Sequence, residues 1–322
     1  MPDIIMPTSG RPYLTIQATS EISPLDLSAE TVIAQYKLHG ALLLRGFSTD
    51  VDVFGRFTQQ FCASSVFNES PGRQLLDDSN NIQTVDGGLE AFPLHPELSR
   101  EPWKPDICFF ACLNPPRELG ATTVCDGVEI VRHLPPALRD ELAHRRLLYM
   151  QPAAPEILAY WLGTATPSDA QLNAPPPSCP YAFRRIGAQI VRTFTRPVLH
   201  TPMFTAEPAF GNFLLFARYM LGLPHFPVFE DGTSVPDSWM RAIKQIGDEL
   251  TAAVTWQRGD ILMLDNTRFM HGRTAIVAGD GRLIASYFGY LNFALPNAEE
   301  PVDPPWRRGS FRPPQRRIPA AA

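Results

Sequence analysis

No stretch of apolar residues in this chain nears the length of about 20 that crossing a bilayer requires, and the opening MPDIIMPTSGRPYLTIQ lacks the basic region and apolar core of a secretion signal. Charge is scarce as well. Only 19% of the residues are charged and 44% are hydrophobic, which excludes a disordered chain and supplies a sizeable core. Basic residues are not in excess: the net charge of -5 and pI near 5.8 leave no broad footprint for nucleic acid. Cysteine occurs five times, as Cys62, Cys108, Cys112, Cys125 and Cys179, an odd number without framework spacing that speaks against a disulfide-stapled secreted fold. These absences predict a soluble, cytoplasmic protein that works on a small molecule, with neither nucleic acid nor membrane as partner. They leave the oligomeric state open.

What is present reads as a single elaborated domain over 1–322, mainly β with flanking helices. LDLSAETVIAQYKLHG has the marks of a helix, with Ser28 as N-cap, Val32, Ile33 and Tyr36 at helical spacing and Gly40 as stop. ALLLRGF follows as a short buried strand, and VDVFGRFTQQFCAS as an amphipathic helix carrying Phe54, Phe57 and Phe61. Short apolar runs broken by Gly, Pro and Asp come next, NNIQTV, FPLHPEL, DICFFACL and TTVCDG, and these suit strands. In DICFFACL, Cys108 and Cys112 fall on one strand face as small buried hydrophobes.

Residues 128–250 change in texture. HLPPALRDELAHRRLL and DSWMRAIKQIGDELTAAV predict helices, the second opened by Asp237 or Ser238, on either side of a strand-like QIVRTFTRPVLHT. The segment is expected to be an inserted helical or lid region. DILMLDN and RLIASYFGYLNF are strong strand candidates separated by a turn containing Gly279, Asp280 and Gly281. A Pro- and Arg-rich tail over 300–322 is expected to be solvated or packed back on the body.

His95 and Glu97 stand two apart in FPLHPELS, and in an extended segment such residues project from one face, so that one metal ion meets both. Alone, a His-x-Glu pair is a common pattern of polar strand edges. The distant segment WQRGDILMLDNTRFMHGR adds His271, in a polar loop after the apolar strand. Two histidines and one carboxylate make the facial triad of non-haem iron(II) oxygenases, with positions left for co-substrate and dioxygen; the same ligands also hold zinc in hydrolases. Arg282, at the start of the last strand, offers a guanidinium fork to the far carboxylate of a dicarboxylate co-substrate. Thr122, in GATTV, offers a hydroxyl to the same group. A zinc hydrolase would leave Arg282 without a task, and no H-E-x-x-H helix occurs. A jelly-roll protein that binds a small molecule without catalysis is a further alternative.

RGF, FPLHPELS, PPRELGAT and the W-x-x-G-D-x-x-x-x-D-N-x-x-x-x-H-G-R pattern of residues 256–273 resemble, in order and over most of 30–292, the TauD/TfdA-like superfamily of iron(II)/2-oxoglutarate-dependent dioxygenases. Glu in place of Asp among the ligands brings the chain nearer the clavaminate synthase-like and SyrP-like branch. The resemblance implies a double-stranded β-helix, the cupin-type jelly roll. It implies His95, Glu97 and His271 as ligands of Fe(II), Arg282 and Thr122 as binders of 2-oxoglutarate, and dioxygen as the other co-substrate. The chain departs from the pattern at Leu119-Gly120-Ala121-Thr122, where relatives usually read G-G-x-T, and the 128–250 segment matches poorly.

The resemblance also implies hydroxylation, desaturation or cyclisation of an amino acid or an amino-acid-derived natural-product intermediate, free or tethered to a carrier protein, with release of succinate and CO2. Catabolism of another small organic acid is the alternative. Period two in RLIASYFG puts Arg282, Ile284, Ser286 and Phe288 on one face. Sulfonate-oxidising relatives carry a second arginine where this chain has Ser286, so a taurine-like substrate is not expected. Candidate substrate contacts are Asn68, Glu69, Arg73, Arg218, Arg268 and Ser286, whereas Arg273 is expected to order the loop around His271.

Overall fold

The computed structural model describes residues 1–279 and 281–314; Asp280 of the expected turn and the end of the tail from 315 lie outside the described residues. Ser28 caps the helix Ala29–His39 by accepting from the Thr31 amide, and Gly40 closes it in the left-handed region at φ 72°. Val32 and Tyr36 turn inward, and the chain passes into the buried strand Ala41–Arg45. Asp50 caps the next helix, Val51–Gln59. This helix is shorter than its pattern: Cys62–Ser65 is a strand paired with Gly289–Leu291. Phe61, between the two, is fully buried against Phe57 and Phe109.

Among the described residues the main sheet has nine strands. Its path runs Asp3–Ile5, Leu14–Gln17, Ala41–Arg45, Ile261–Asp265, Ile107–Asn114, Leu283–Leu291, Ile82–Thr84 and Leu75–Asp77, with Cys62–Ser65 as a branch on Leu283–Leu291. The central strands are apolar on both faces. In Ile107–Asn114, residues Cys108, Phe110 and Cys112 enter one core while Ile107, Phe109 and Ala111 enter another, and Leu262 and Leu264 part from Ile261 and Met263 in the same way. Period two thus divides one continuous apolar run between two cores. One core takes in Val32, Tyr36, Phe54 and Phe57 of the two helices. The other faces a second sheet, ordered Ala252–Val254, Thr122–Asp126, Phe269–Arg273 and Phe92–His95. Val124, Val254 and Phe269 of that sheet share this core with Phe110 and Leu264. The result is a mainly β, two-layered jelly roll with several helices.

Two expectations change here. His271 is not in a loop; it is the middle residue of the buried strand Phe269–Arg273. The flanking arginines are satisfied at the strand ends, Arg268 by the Asp126 carboxylate and Arg273 by hydrogen bonds to the carbonyls of Asp86, Gly88 and Glu90, so a polar-looking stretch can be buried. The helix Asp237–Leu250 follows Pro236 and has no side-chain cap from Asp237 or Ser238, and Ala252–Val254 beyond it is a strand on Thr122–Val124.

The 128–250 segment holds more than helices. Around Pro136–Ala143, Pro155–Leu162 and Leu214–Tyr219 it builds a four-stranded antiparallel sheet, ordered Ala182–Ile186, Gln189–Pro197, Arg146–Pro152 and Val228–Phe229. Leu147 and Tyr149 alternate inward from Arg146–Pro152, which the sequence reading had placed at the end of a helix. In the tail, Trp306 is buried and Arg307 is clamped by Asp106 and Glu300, so this part packs back on the body. All five cysteines are free, with Cys108, Cys112 and Cys125 buried. Among the described residues no helix is long and apolar enough to cross a membrane.

Candidate metal centre

His95 ends the strand Phe92–His95 and lies directly opposite His271 in the pairing with Phe269–Arg273. Their ring centroids are 4.6 Å apart. The Nδ1 of His95 is 2.9 Å from the Pro93 carbonyl; this nitrogen therefore carries the proton, and Nε2 presents its lone pair. Glu97 reaches the same point by a different route from the expected strand pleat. The strand stops at His95 and the chain turns, with Leu98 at φ 49°. Asn266, 169 residues away in sequence, clamps the turn: its Oδ1 accepts from the Glu97 amide at 2.8 Å, and its Nδ2 donates to the Glu97 carbonyl at 3.1 Å. One ligand atom from each of His95, Glu97 and His271 falls within 4.8 Å of the others.

The outer lone pairs of the carboxylate are already engaged. Asn68 Nδ2 donates to Glu97 Oε1 at 2.6 Å, and Arg73 Nη2 donates to Oε2 at 3.2 Å. Burial raises the Glu97 carboxyl, but Arg73 and then His271 overcome it and hold the group down to about 2. Burial, followed by the neighbouring His271, pushes His95 down to about 4. At neutral pH the cluster therefore offers one carboxylate and a neutral His95 imidazole, the states a divalent cation binds. Two imidazole nitrogens and a carboxylate oxygen converging from one side fit Fe(II) and leave the opposite side for exchangeable ligands. Phe110 packs at 5.0 Å from the His271 ring and Phe216 at 4.7 Å from that of His95.

Thr122 and Arg282 meet at one end of the jelly roll. Arg282 Nε donates to the Gly120 carbonyl at 2.7 Å. Gly120 has φ 87°, and a Cβ there would sit 3.0 Å from Arg282 Cδ, so both conformation and space call for glycine. Thr122, two residues on, is buried, and its hydroxyl accepts from Trp256 Nε1 at 3.1 Å, which directs the hydroxyl proton elsewhere.

The expected substrate contacts divide into two groups. Asn68, Arg73 and Ser286 converge on Glu97: Arg73 Nη1 donates to Ser286 Oγ at 2.9 Å, Ser286 Oγ donates to the Gln83 carbonyl at 3.1 Å, and Gln83 is hydrogen-bonded to the Asn68 backbone. Arg218 and Arg268 are not brought there. Arg218 is tied to Asp237 and to the carbonyls of Pro224 and Val235, and Arg268 is spent on Asp126. Glu69 is exposed. Arg273 ties down residues 86–90 and lies over the Phe92 ring. Asn266, Trp256 and Gln83 were not singled out from the sequence, although Asn266 and Trp256 stand in the segment that carries His271 and their buried polar atoms need partners.

Residues 10–287 match the family model described as Taurine catabolism dioxygenase TauD, TfdA family. No curated protein matches the chain in sequence. Among solved structures, a taurine dioxygenase from Burkholderia xenovorans superimposes with TM-score 0.61 at 12% identity, covering 91% of each chain. PvcB from Pseudomonas aeruginosa gives 0.57 at 14%, over 92% of this chain and 94% of its own; PvcB is described as an Fe, alpha-ketoglutarate dependent oxygenase from an isonitrile synthetic pathway. AAD-2 in complex with Mn(II) and N-oxalylglycine gives 0.57 at 12%, over 92% and 98%. At such identities these likenesses speak for the fold.

Proposed function

The chain belongs to the TauD/TfdA family of iron(II)/2-oxoglutarate-dependent dioxygenases, and from that premise we propose that it oxidises an amino acid or an amino-acid-derived natural-product intermediate, with His95, Glu97 and His271 as the iron ligands. The observation that carries the substrate reading is Arg73, a buried guanidinium bridging Glu97 and Ser286 where the ligand cluster meets the strand Leu283–Leu291. We read it as the cation that receives the substrate carboxylate, taking the place of the second arginine that Ser286 replaces. The Glu ligand and the neutral Ser286 support the clavaminate synthase-like branch in this reading.

Bound iron, with 2-oxoglutarate and dioxygen, supplies the oxidising power, and 2-oxoglutarate leaves as succinate and CO2. The residues of this chain do the rest. Asn68 and Arg73 occupy the outer face of the Glu97 carboxylate and so aim its remaining electrons inward. Asn266 fixes the turn that holds Glu97 level with the histidines. Arg282 and Thr122 grip the far carboxylate of 2-oxoglutarate, and Phe110 and Phe216 shield the ligands from water. In the same reading the two sheets are a double-stranded β-helix, 1–322 is one domain, 128–250 is the lid over the mouth, and the enzyme is cytoplasmic.

The test is a panel of free amino acids, carrier-bound aminoacyl thioesters and small organic acids without an amino group, scored by substrate-dependent succinate formation, with Arg73→Gln alongside. The expected outcome is a hit whose KM rises about tenfold or more in the variant while 2-oxoglutarate KM is unchanged. A hit confined to acids without an amino group would move the assignment to catabolism of an organic acid, and an unchanged substrate KM would remove Arg73 from substrate binding.

A further inference from the structure

A cavity of about 1350 Å³ opens between the 128–250 segment and the end of the main sheet, and none of His95, Glu97, His271 or Arg282 lines it. On the side toward the metal centre it is lined by Gly211, which packs on Pro96, and by Pro105, whose carbonyl accepts from Asn266 Nδ2 at 2.8 Å. Of the four cations that line it, Arg146 is paired with Glu299 and Lys37 lies over the Phe204 and Phe293 rings, which leaves two, Lys104 in the loop before Ile107–Asn114 and Arg196 near the end of Gln189–Pro197. Arg196 Nη2 donates only to neutral carbonyls, of Glu101 at 2.8 Å and Pro102 at 3.0 Å, and among the described residues neither cation has a carboxylate within ion-pair distance. Lys104 makes no hydrogen bond among them.

The acids that line the cavity are committed elsewhere. Asp106 and Glu300 are both held by Arg307, and Glu299 by Arg146 at 2.5 Å. Burial, and after it the like charge of Arg196, pulls Lys104 down to about 7, and burial lowers Arg196 as well. Lys104 and Arg196 are half-buried, and holding two such like charges in one cavity without a counter-ion is unfavourable; proteins ordinarily pair such charges or bind an ion to them. Leu199, Met203, Phe204 and Leu295 contribute apolar surface to the same cavity.

We propose that this cavity is a second ligand site, distinct from the metal centre, for an organic anion whose carboxylate or phosphate sits between Lys104 and Arg196 and whose apolar body lies along Leu199, Met203 and Leu295. An ammonium and a guanidinium lining one cavity suit either oxyanion, and a chamber of this size accepts a ligand well beyond the anion itself. The proposal is independent of the oxygenase substrate, since it uses no residue of the metal centre.

The experiment is thermal unfolding of the full-length, iron-free protein titrated with octanoate, octyl phosphate and, as the uncharged control, octanol. Octanoate, octyl phosphate or both should raise the Tm with concentration while octanol does not, and the stronger of the two identifies the headgroup. The rise should persist in His271→Ala, where no metal site remains, and the apparent Kd should weaken about tenfold or more in Lys104→Met. That variant also loses a half-buried cation that has no ion-pair partner among the described residues, so its ligand-free Tm should not fall. If neither anion exceeds octanol, if the effect vanishes in His271→Ala, or if Lys104→Met binds as tightly as the parent, the site does not exist as described.

Discussion

Glu97 is buried with Asn68, Arg73 and His271 all in reach of its oxygens, whereas Lys104 and Arg196, in the cavity beyond Pro96 and Asn266, are half-buried and among the described residues have no carboxylate within ion-pair distance. In the first arrangement, donors on the outer side of the carboxylate leave its other side and the two imidazoles to a cation. In the second, the protein supplies the cations, and the balancing charge must come from a ligand. The contrast shows how one fold prepares neighbouring chambers for ions of opposite sign: a metal centre places negative charge where His95 remains neutral, and an anion site concentrates positive charge where carboxylates are drawn away by other arginines.

The largest expected effect separates the chambers. His271→Ala removes one of three ligands and should lower 2-oxoglutarate-dependent turnover by about a thousandfold or more, measured as succinate released with the best substrate of the panel. Full activity in this variant would overturn the ligand assignment and, with it, the contrast. Next comes the Asn266 clamp. Asn266 makes three hydrogen bonds to the backbone of Glu97 and Pro105, so Asn266→Ala should cost about 2 to 4 kcal/mol in chemical denaturation and loosen iron binding. A variant as stable as the parent would show that the clamp does not hold the Glu97 turn.

The smallest effect concerns a buried carboxyl beside the same clamp. Burial raises the Asp265 carboxyl to about 6 even though Thr267 donates to it twice. A carboxyl raised in the folded state contributes stability that is present below its ordinary value near 3.8 and is lost as the pH climbs through about 6. Asp265→Asn keeps an oxygen for both Thr267 donors, so it should be near neutral at pH 3.5 and up to about 3 kcal/mol stabilising at pH 8. Urea unfolding at the two pH values measures this; an equal effect at both would assign Asp265 no burial penalty.

The metal centre was legible because its chemistry is written in residue types: His95, Glu97 and His271 are recognisable wherever the chain carries them. Their scaffolding was less so. The strand with Cys108, Phe110 and Cys112 could be read from its apolar run, and the Ser28 cap and Gly40 stop from local hydrogen-bond chemistry. His271 looked like loop because Arg268 and Arg273 flank it, and only the fold shows that distant groups satisfy both. Glu97 obeyed the two-residue spacing for a reason other than the pleat, since the Asn266 clamp comes from far along the chain. The strand at Arg146–Pro152 was hidden because its inward residues, Leu147 and Tyr149, follow directly on a helical pattern. Lys104 and Arg196 carried no signal at all, because what distinguishes them is the absence of a neighbour, a property of three dimensions.

The strand Ala41–Arg45 pairs along one edge with Leu14–Gln17, which leaves it almost at once available, and along the other with Ile261–Asp265. Cys62–Ser65 likewise finds its partner only in Leu283–Leu291. During synthesis, then, the early strands wait with an open edge while residues 128–250 are made, and the sheet closes only when the last third of the chain arrives. Contacts this distant in sequence fold slowly, and the interval of waiting is when an unpaired edge is most exposed to misassembly. For this protein the helices Ala29–His39 and Val51–Gln59, which form locally and cover one face of those strands, have a temporal role: they shelter the first half until the second is there to meet it.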